Sequence, residues 1–169
     1  EGSGTIAGDS SGQANDGVFF GDPQWTEGAH GGALAFDGVG DYVEVPDSSS
    51  IRAARPLSVA VWIKRDDLSE QDAIFFKRNS SGNGWWLVVD TSGRVVLTFG
   101  HVAARNSTAT VSDTKWHHVA VTIDAAGAMT FYVDGVPGGT ETIGAPHPTT
   151  APLRMATGVD MYGAVSNQG

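Results

Sequence analysis

Apolar residues in this chain fall in short runs, mostly of four to eight residues, separated by clusters of glycine, proline, asparagine, aspartate and serine. Such punctuation predicts strands and turns, and no stretch carries a convincing helical period. Leu34 and Phe36 alternate with small residues, Val43 and Val45 alternate with Tyr42 and Glu44, and Asp37-Gly38-Val39-Gly40-Asp41 joins the two runs. That pattern predicts an antiparallel hairpin over Gly31–Pro46 with two carboxylates, Asp37 and Asp41, close together at its tip. Leu57–Lys64 is apolar nearly throughout and reads as a central strand covered on both faces. Trp85–Asp90 and Arg94–Phe99 form a hairpin across Thr91-Ser92-Gly93, and Trp116–Asp124 is another long strand. Ala128–Val133 runs into Asp134-Gly135, a strong two-residue hairpin signal. Pro137–Pro152 reads as an irregular excursion before a last run, Leu153–Ala156. About a dozen short strands result, and they describe an all-β, two-sheet antiparallel sandwich of jelly-roll type in a single domain over residues 1–169.

Composition narrows the partners. With 10 basic against 19 acidic residues the net charge is −9, which disfavours nucleic acid and anionic membranes. Of the acids, 14 are aspartate and 5 glutamate, a bias that suits turns and calcium loops more than helices. The lack of cysteine excludes disulfides and thiolate metal sites and leaves the compartment open, since bacterial secreted domains often do without disulfides. No apolar segment is long enough to span a membrane as a helix, and the first residues do not read as a signal peptide, so any export signal is expected outside this sequence.

Eight segments in order, EGSGT at Glu1–Thr5, DSSG at Asp9–Gly12, NDG at Asn15–Gly17, GGALAFDG at Gly31–Gly38, DYVEVPD at Asp41–Asp47, SVAVWIK at Ser58–Lys64, WHHVAVTID at Trp116–Asp124 and FYVDGV at Phe131–Val136, carry a resemblance. The chain resembles the laminin-G-like domains of the concanavalin A-like lectin and glucanase superfamily. The resemblance implies a two-sheet jelly roll, a non-catalytic module of a secreted or surface protein, a structural calcium ion, and a glycan or protein ligand. It turns Glu1–Gly17 from an apparent linker into part of the domain. It also implies an aromatic-containing strand just before Glu1–Thr5 and a strand reading roughly Asp-Glu-Val-Arg-Val-Tyr after Gly158–Gly169, neither of which the sequence contains. As these two strands are expected to be neighbours, the alternative reading is an incomplete domain whose open edge accepts a complementary strand from another chain.

By this resemblance and by the chemistry of calcium, which takes six to eight oxygens from carboxylates and loop carbonyls, Asp9, Asn15, Asp16, Asp37 and Asp41 are the expected ligands. The competing reading is that they cap their own turns. For sugar stacking, Trp85 and Trp86 point to opposite faces of one strand, so that one is offered to solvent; Tyr162 and His101 complete the ligand-binding candidates, with Trp25 and Tyr42 behind them. Trp62 and Trp116 read as core. His117 and His118, neighbours on a strand, face opposite ways and cannot chelate one ion; packing is the expected role, and His30 and His147 lie in loops without partner spacing. Glucanases of this fold aim three carboxylates from one strand into a cleft. The nearest match, Glu70-Gln71-Asp72-Ala73-Ile74-Phe75, lacks one of them and precedes its strand, so a glycoside hydrolase or lyase is disfavoured. Asn79-Ser80-Ser81 and Asn106-Ser107-Thr108 match glycosylation sequons, relevant in a eukaryotic host. The expectation is a calcium-stabilised, non-catalytic carbohydrate-binding or adhesion module, secreted or at the cell surface, in a bacterial setting.

Overall fold

The chain forms the predicted sandwich, and its turns divide the strands between sheets of unequal width. The computed structural model describes residues 3–52, 54–156, 158–159 and 165–166, with side chains to Ala156; Tyr162 lies outside the described residues. In chain order the strands are β1 (Ile6–Ala7), β2 (Gly17–Phe20), β3 (Gln24–Glu27), β4 (Gly32–Ala35), β5 (Tyr42–Val45), β6 (Leu57–Ile63), β7 (Asp72–Arg78) and β8 (Gly84–Val89). They continue with β9 (Arg94–Phe99), β10 (Ala103–Thr110), β11 (His117–Ile123), β12 (Ala128–Val133), β13 (Val136–Thr142), β14 (Leu153–Met155), β15 (Gly158–Val159) and β16 (Val165–Ser166). An eight-stranded sheet runs β1-β2-β5-β14-β7-β8-β9-β10 and a four-stranded sheet runs β13-β12-β11-β6; β3-β4 and β15-β16 are separate two-stranded ribbons. The one helical element among the described residues is a single turn at Ser49–Ile51.

Between the two large sheets lies the core. Leu87, Val95, Leu97, Phe99, Val119, Met129 and Phe131 are fully buried there. Parity explains their placement, since successive strand residues face opposite ways: on β11, Val119, Val121 and Ile123 point in and His118, Ala120 and Thr122 point out. The Asp134-Gly135 turn closes the β12–β13 hairpin with φ values of 53° and 76°, the left-handed pair that matches the twist of its strands. At the β8–β9 turn the Asp90 carboxylate accepts hydrogen bonds from the Ser92 and Arg94 amides, both 2.9 Å, fixing the register of that hairpin.

Four expectations are corrected. Gly31–Pro46 is not a hairpin: β4 pairs with β3, while β5 pairs with β2 and β14. Alternation specifies a strand and its buried face but not its neighbour. Here Asp37–Asp41, with Gly38 and Gly40 at positive φ, carries the chain from one sheet to another. β6 is not covered on both faces. It pairs only with β11 among the described residues, its Leu57, Val59, Val61 and Ile63 lean on the core, and its Ser58, Ala60 and Trp62 face outward. Trp62 is 42% exposed rather than core, and Trp116, just before β11, is half-buried. Finally, Val136–Thr142 is a strand although it contains Pro137 and two glycines; it is the edge strand of its sheet, where a missing amide costs no ladder bond. Residues from Thr5 onward belong to the domain, β1 pairing with β2 and the Phe19 amide donating to the Thr5 carbonyl.

Candidate functional site

The acidic loops form two nodes. In the first, Asp41 is 2% exposed, and its two carboxylate oxygens accept the Asp22 amide at 2.8 Å and the Asp37 amide at 3.1 Å. This draws the carboxylates of Asp22, Asp37 and Asp41 within 4.8 Å of one another. Gly21 permits the approach, since a side chain there would strike the Asp41 carboxylate. No Lys, Arg or His among the described residues makes an ion pair with these three. Three converging, uncompensated carboxylates form a hard, all-oxygen donor set of the kind calcium takes. The sequence places Asp37 and Asp41 together at one turn, but Asp22, 15 residues before Asp37 and followed by Pro23, was not among the expected ligands.

Asp9, Asn15 and Asp16 form the second node, outside the tight triple. Asp9 accepts the Ser11 hydroxyl at 2.8 Å, the Ser11 amide at 2.8 Å and the Asn15 amide at 2.9 Å. These bonds, the Ser11 hydroxyl first, hold its pKa down at about 2. Asp16 accepts the Asp9 amide, and Asn15 is bonded to Ser48 and Ser50. This node ties the N-terminal loop to the segment after β5, the turn-capping role that competed with calcium.

The aromatic candidates resolve by parity. Trp85 is the inward member of its pair, 5% exposed and packed near Phe75. Trp86 points to the outer face of the eight-stranded sheet, stacked on Phe76 with ring centroids 5.8 Å apart and with the Arg78 guanidinium 5.0 Å from its ring centre. His101, exposed and at a φ of 60°, meets the Ser81 carbonyl at 2.7 Å through Nε2 and lies edge-on to His147. Gly82 and Gly100 let this loop pack tightly: a Cβ at Gly82 would press on the His101 ring and one at Gly100 on the Gly82 carbonyl.

Trp86 belongs to a row that crosses the whole sheet in register, Ile6, Val18, Glu44, Arg154, Phe76, Trp86, Thr98 and Ala104. Beside it, Phe20 stacks on Tyr42 at 4.6 Å with rings 3° from parallel, and the Arg154 guanidinium sits 5.2 Å from the Tyr42 ring. Arg154 Nε donates to Glu44 at 2.8 Å. Two stacked aromatic pairs therefore bracket a Glu–Arg pair on one face. Arg154, Arg78, Phe20 and Phe76 were not singled out from the sequence; assigning inward and outward parity to each strand would have put them on the face of Trp86.

A model of the concanavalin A-like lectin/glucanases superfamily matches residues 37–167, most of the chain. The chain is a laminin-G-like domain of that superfamily. Its fold is similar to the binding domain of Paraclostridial Mosquitocidal Protein 1, with a TM-score of 0.74 at 15% identity over 92% of this chain and 43% of that one. It is similar also to the botulinum neurotoxin serotype C1 binding domain, with a TM-score of 0.72 at 15% identity over 95% of this chain and 40% of that one. The receptor binding domain of botulinum neurotoxin C/D mosaic serotype gives a TM-score of 0.67 at 17% identity over 95% and 41%. These likenesses establish the fold, and the laminin-G-like domain spans less than half the length of each of those chains. No curated protein matches the sequence. No helix among the described residues is long and apolar enough to cross a membrane.

Within this laminin-G-like domain one of the two carboxylates tested for catalysis, that of Asp72, holds a buried arginine, while Glu70 takes part through its main-chain carbonyl. Arg65, buried at the end of β6, donates through Nε to Asp72, through Nη2 to the Glu70 carbonyl at 2.7 Å and through Nη1 to the Val111 carbonyl at 3.2 Å. His117 is more than packing: its Nδ1 lies 2.8 Å from Asp134 and its Nε2 3.1 Å from Asp113. Partial burial opposes its positive charge, but the bonds to Asp134 and Asp113 outweigh this and raise its pKa. The imidazole thereby clamps the loop before β11 to the β12–β13 turn. Asp113, four residues before His117, was the sequence signal for it.

Proposed function

We propose that this laminin-G-like domain is a non-catalytic carbohydrate-binding module of a secreted or surface protein, stabilised by calcium at Asp22, Asp37 and Asp41. The observation that carries the reading is the outer row of the eight-stranded sheet. Aromatic rings stack on the apolar faces of sugars, while a paired carboxylate and guanidinium read hydroxyls. Phe20, Tyr42 and Trp86 supply the accessible rings, with buried Phe76 backing Trp86, and Glu44–Arg154 between them supplies the polar pair. From β2 to β8 the face crosses four strand spacings, about 19 Å, enough for an extended oligosaccharide. The occupation of the Asp72 carboxylate in holding Arg65 supports a non-catalytic role. A glycan array with calcium present, repeated with Trp86→Ala, tests the reading. Binding that weakens about tenfold or more in the variant is expected, and a wild type that binds nothing on the array overturns it.

A second reading, association with a complementary strand, is supported by β6. Its far edge has no strand partner among the described residues. Beneath β1, β2, β5 and β14 lies a cavity of ≈ 280 Å³ lined by Gly17, Val45, Ile51, Leu153 and Met155 among others. A peptide with the Asp-Glu-Val-Arg-Val-Tyr pattern that fails to bind at high micromolar concentration counts against it.

A further inference from the structure

The outer face of the four-stranded sheet carries a second set of rows. Ser58, Thr122, Thr130 and Thr140 are paired across β6, β11, β12 and β13 as a line of hydroxyls. Two residues along β6, β11 and β12, and three along β13 where the register shifts, Ala60, Ala120, Tyr132 and Pro137 form the next line. Trp62 and His118 then pair across β6 and β11. A third side chain arrives from outside the sheet: the β3–β4 turn, closed by the Gly28 amide donating to the Gly31 carbonyl at 2.7 Å, places the exposed ring of His30 edge-on to Trp62 at 5.0 Å. His118 flanks the same indole at 5.3 Å. Trp62 thus stands as a raised wall, 42% exposed, over a floor of two alanines with hydroxyls beyond.

None of the ten sheet positions in these rows is Lys, Arg, Asp or Glu, although 29 of the 169 residues of the chain are charged. A solvent-facing sheet surface ordinarily carries charge on its outward positions. These ten positions offer no cation to a phosphate, a sulfate or a carboxylate, and the charges at the rim, Lys64 just past β6 and the Asp134 carboxylate that accepts the His118 amide at 2.9 Å, are of opposite sign. The aromatic wall, small-residue floor, imidazoles and hydroxyl line suit the mixed surface of a neutral sugar, one face apolar and the rim all hydroxyl.

We propose that Trp62, His30 and His118 form a second binding site for a neutral saccharide, on the sheet opposite the Trp86 face. The sugar ring stacks on Trp62 above Ala60 and Ala120, and the ring nitrogens of His30 and His118 and the hydroxyl of Thr122 or Ser58 meet its hydroxyls. The proposal rests on the reading of the domain as a carbohydrate-binding module and adds a site of separate specificity.

Affinity electrophoresis through gels of neutral polysaccharides (mixed-linkage β-glucan, xylan, galactomannan and starch) and of anionic polygalacturonate separates the outcomes, with wild type, Trp62→Ala, His118→Ala, Trp86→Ala and the Trp62→Ala/Trp86→Ala double variant. Melting curves confirm that each variant is folded; Trp62, as an exposed side chain, is expected to be replaceable. Retardation of Trp86→Ala by at least one neutral polymer, lost in the double variant and weakened about tenfold in Trp62→Ala, is the expected result. Retardation of wild type that is abolished in Trp86→Ala and unchanged in Trp62→Ala overturns the second site and leaves the module reading standing. No retardation of wild type by any polymer overturns both. A sedimentation coefficient that falls in Trp62→Ala without any change in retardation shows the face to be an interface between copies, and also overturns it.

Discussion

Arg65 is a buried charged group outside the proposed sites, and its replacement by methionine isolates what a buried guanidinium contributes. The side chain is 2% exposed, and three acceptors depend on it: the Asp72 carboxylate, the Glu70 carbonyl and the Val111 carbonyl. Methionine keeps most of the aliphatic stem, so little packing is lost. Asp72 is 42% exposed, and water replaces its partner at small cost, about 0–1 kcal/mol. Val111 is fully buried and its stripped carbonyl costs about 1–3 kcal/mol, while the half-buried Glu70 carbonyl regains water at about 0–1 kcal/mol, so the loss centres on about 3 kcal/mol. For a domain of this size that lowers the melting temperature by about 6–12 °C. Arg65→Lys keeps the charge but reaches about one of the three acceptors, and an intermediate loss of about 1–2 kcal/mol is expected. Urea unfolding followed by tryptophan fluorescence, with calorimetry alongside, measures both. A methionine variant within about 0.5 kcal/mol of wild type, or a lysine variant as stable as wild type, would refute the three-way fork as the source of the stabilisation.

The clamp at His117 sets a pH window. The raised pKa of His117 means that its contribution is fully present below its ordinary value of 6.5 and is lost as the pH climbs through its higher folded value. Asp134 and Asp113, bonded to it, are held below 3.8, so theirs is present above 3.8 and fades as the pH falls through their lower folded values. Urea midpoints for wild type from about pH 4 to about pH 9 should decline above 6.5, and His117→Gln should flatten that decline; an unchanged slope would show the clamp to be idle. Asp22→Asn/Asp37→Asn tests the metal. The melting temperature in chelator should hold or rise as repulsion is relieved, while most of the gain on adding millimolar calcium disappears; a wild type indifferent to chelator refutes calcium there. Gly84→Ala, at a φ of 112° with the Lys77 carbonyl in the path of the new methyl group, should cost about 2–4 kcal/mol in thermal or urea unfolding, and a neutral result would refute the tight approach of β7 and β8.

The sequence by itself determined that the chain is a β sandwich, where most strands lie, and which turns are tight, because alternation, Asp-Gly and the Thr-Ser-Gly turn act within a few residues of themselves. It also placed Asp37 and Asp41 at one turn and set Trp85 and Trp86 on opposite faces. Only the tertiary structure decided which strands are neighbours. That choice turned the apparent Gly31–Pro46 hairpin into a crossing between sheets, with Asp41 organised by the Asp22 and Asp37 amides. It also put Trp62 on an open face, where an apolar run looked like a buried strand. Strand pairing is settled by long-range burial and hydrogen bonding summed over the whole sheet, so partners such as Glu44 and Arg154, 110 residues apart, leave no local signal. The same distance separates the legible part of the site from the rest: each aromatic residue could be read in its own strand, but the row they form exists only once eight strands stand in register.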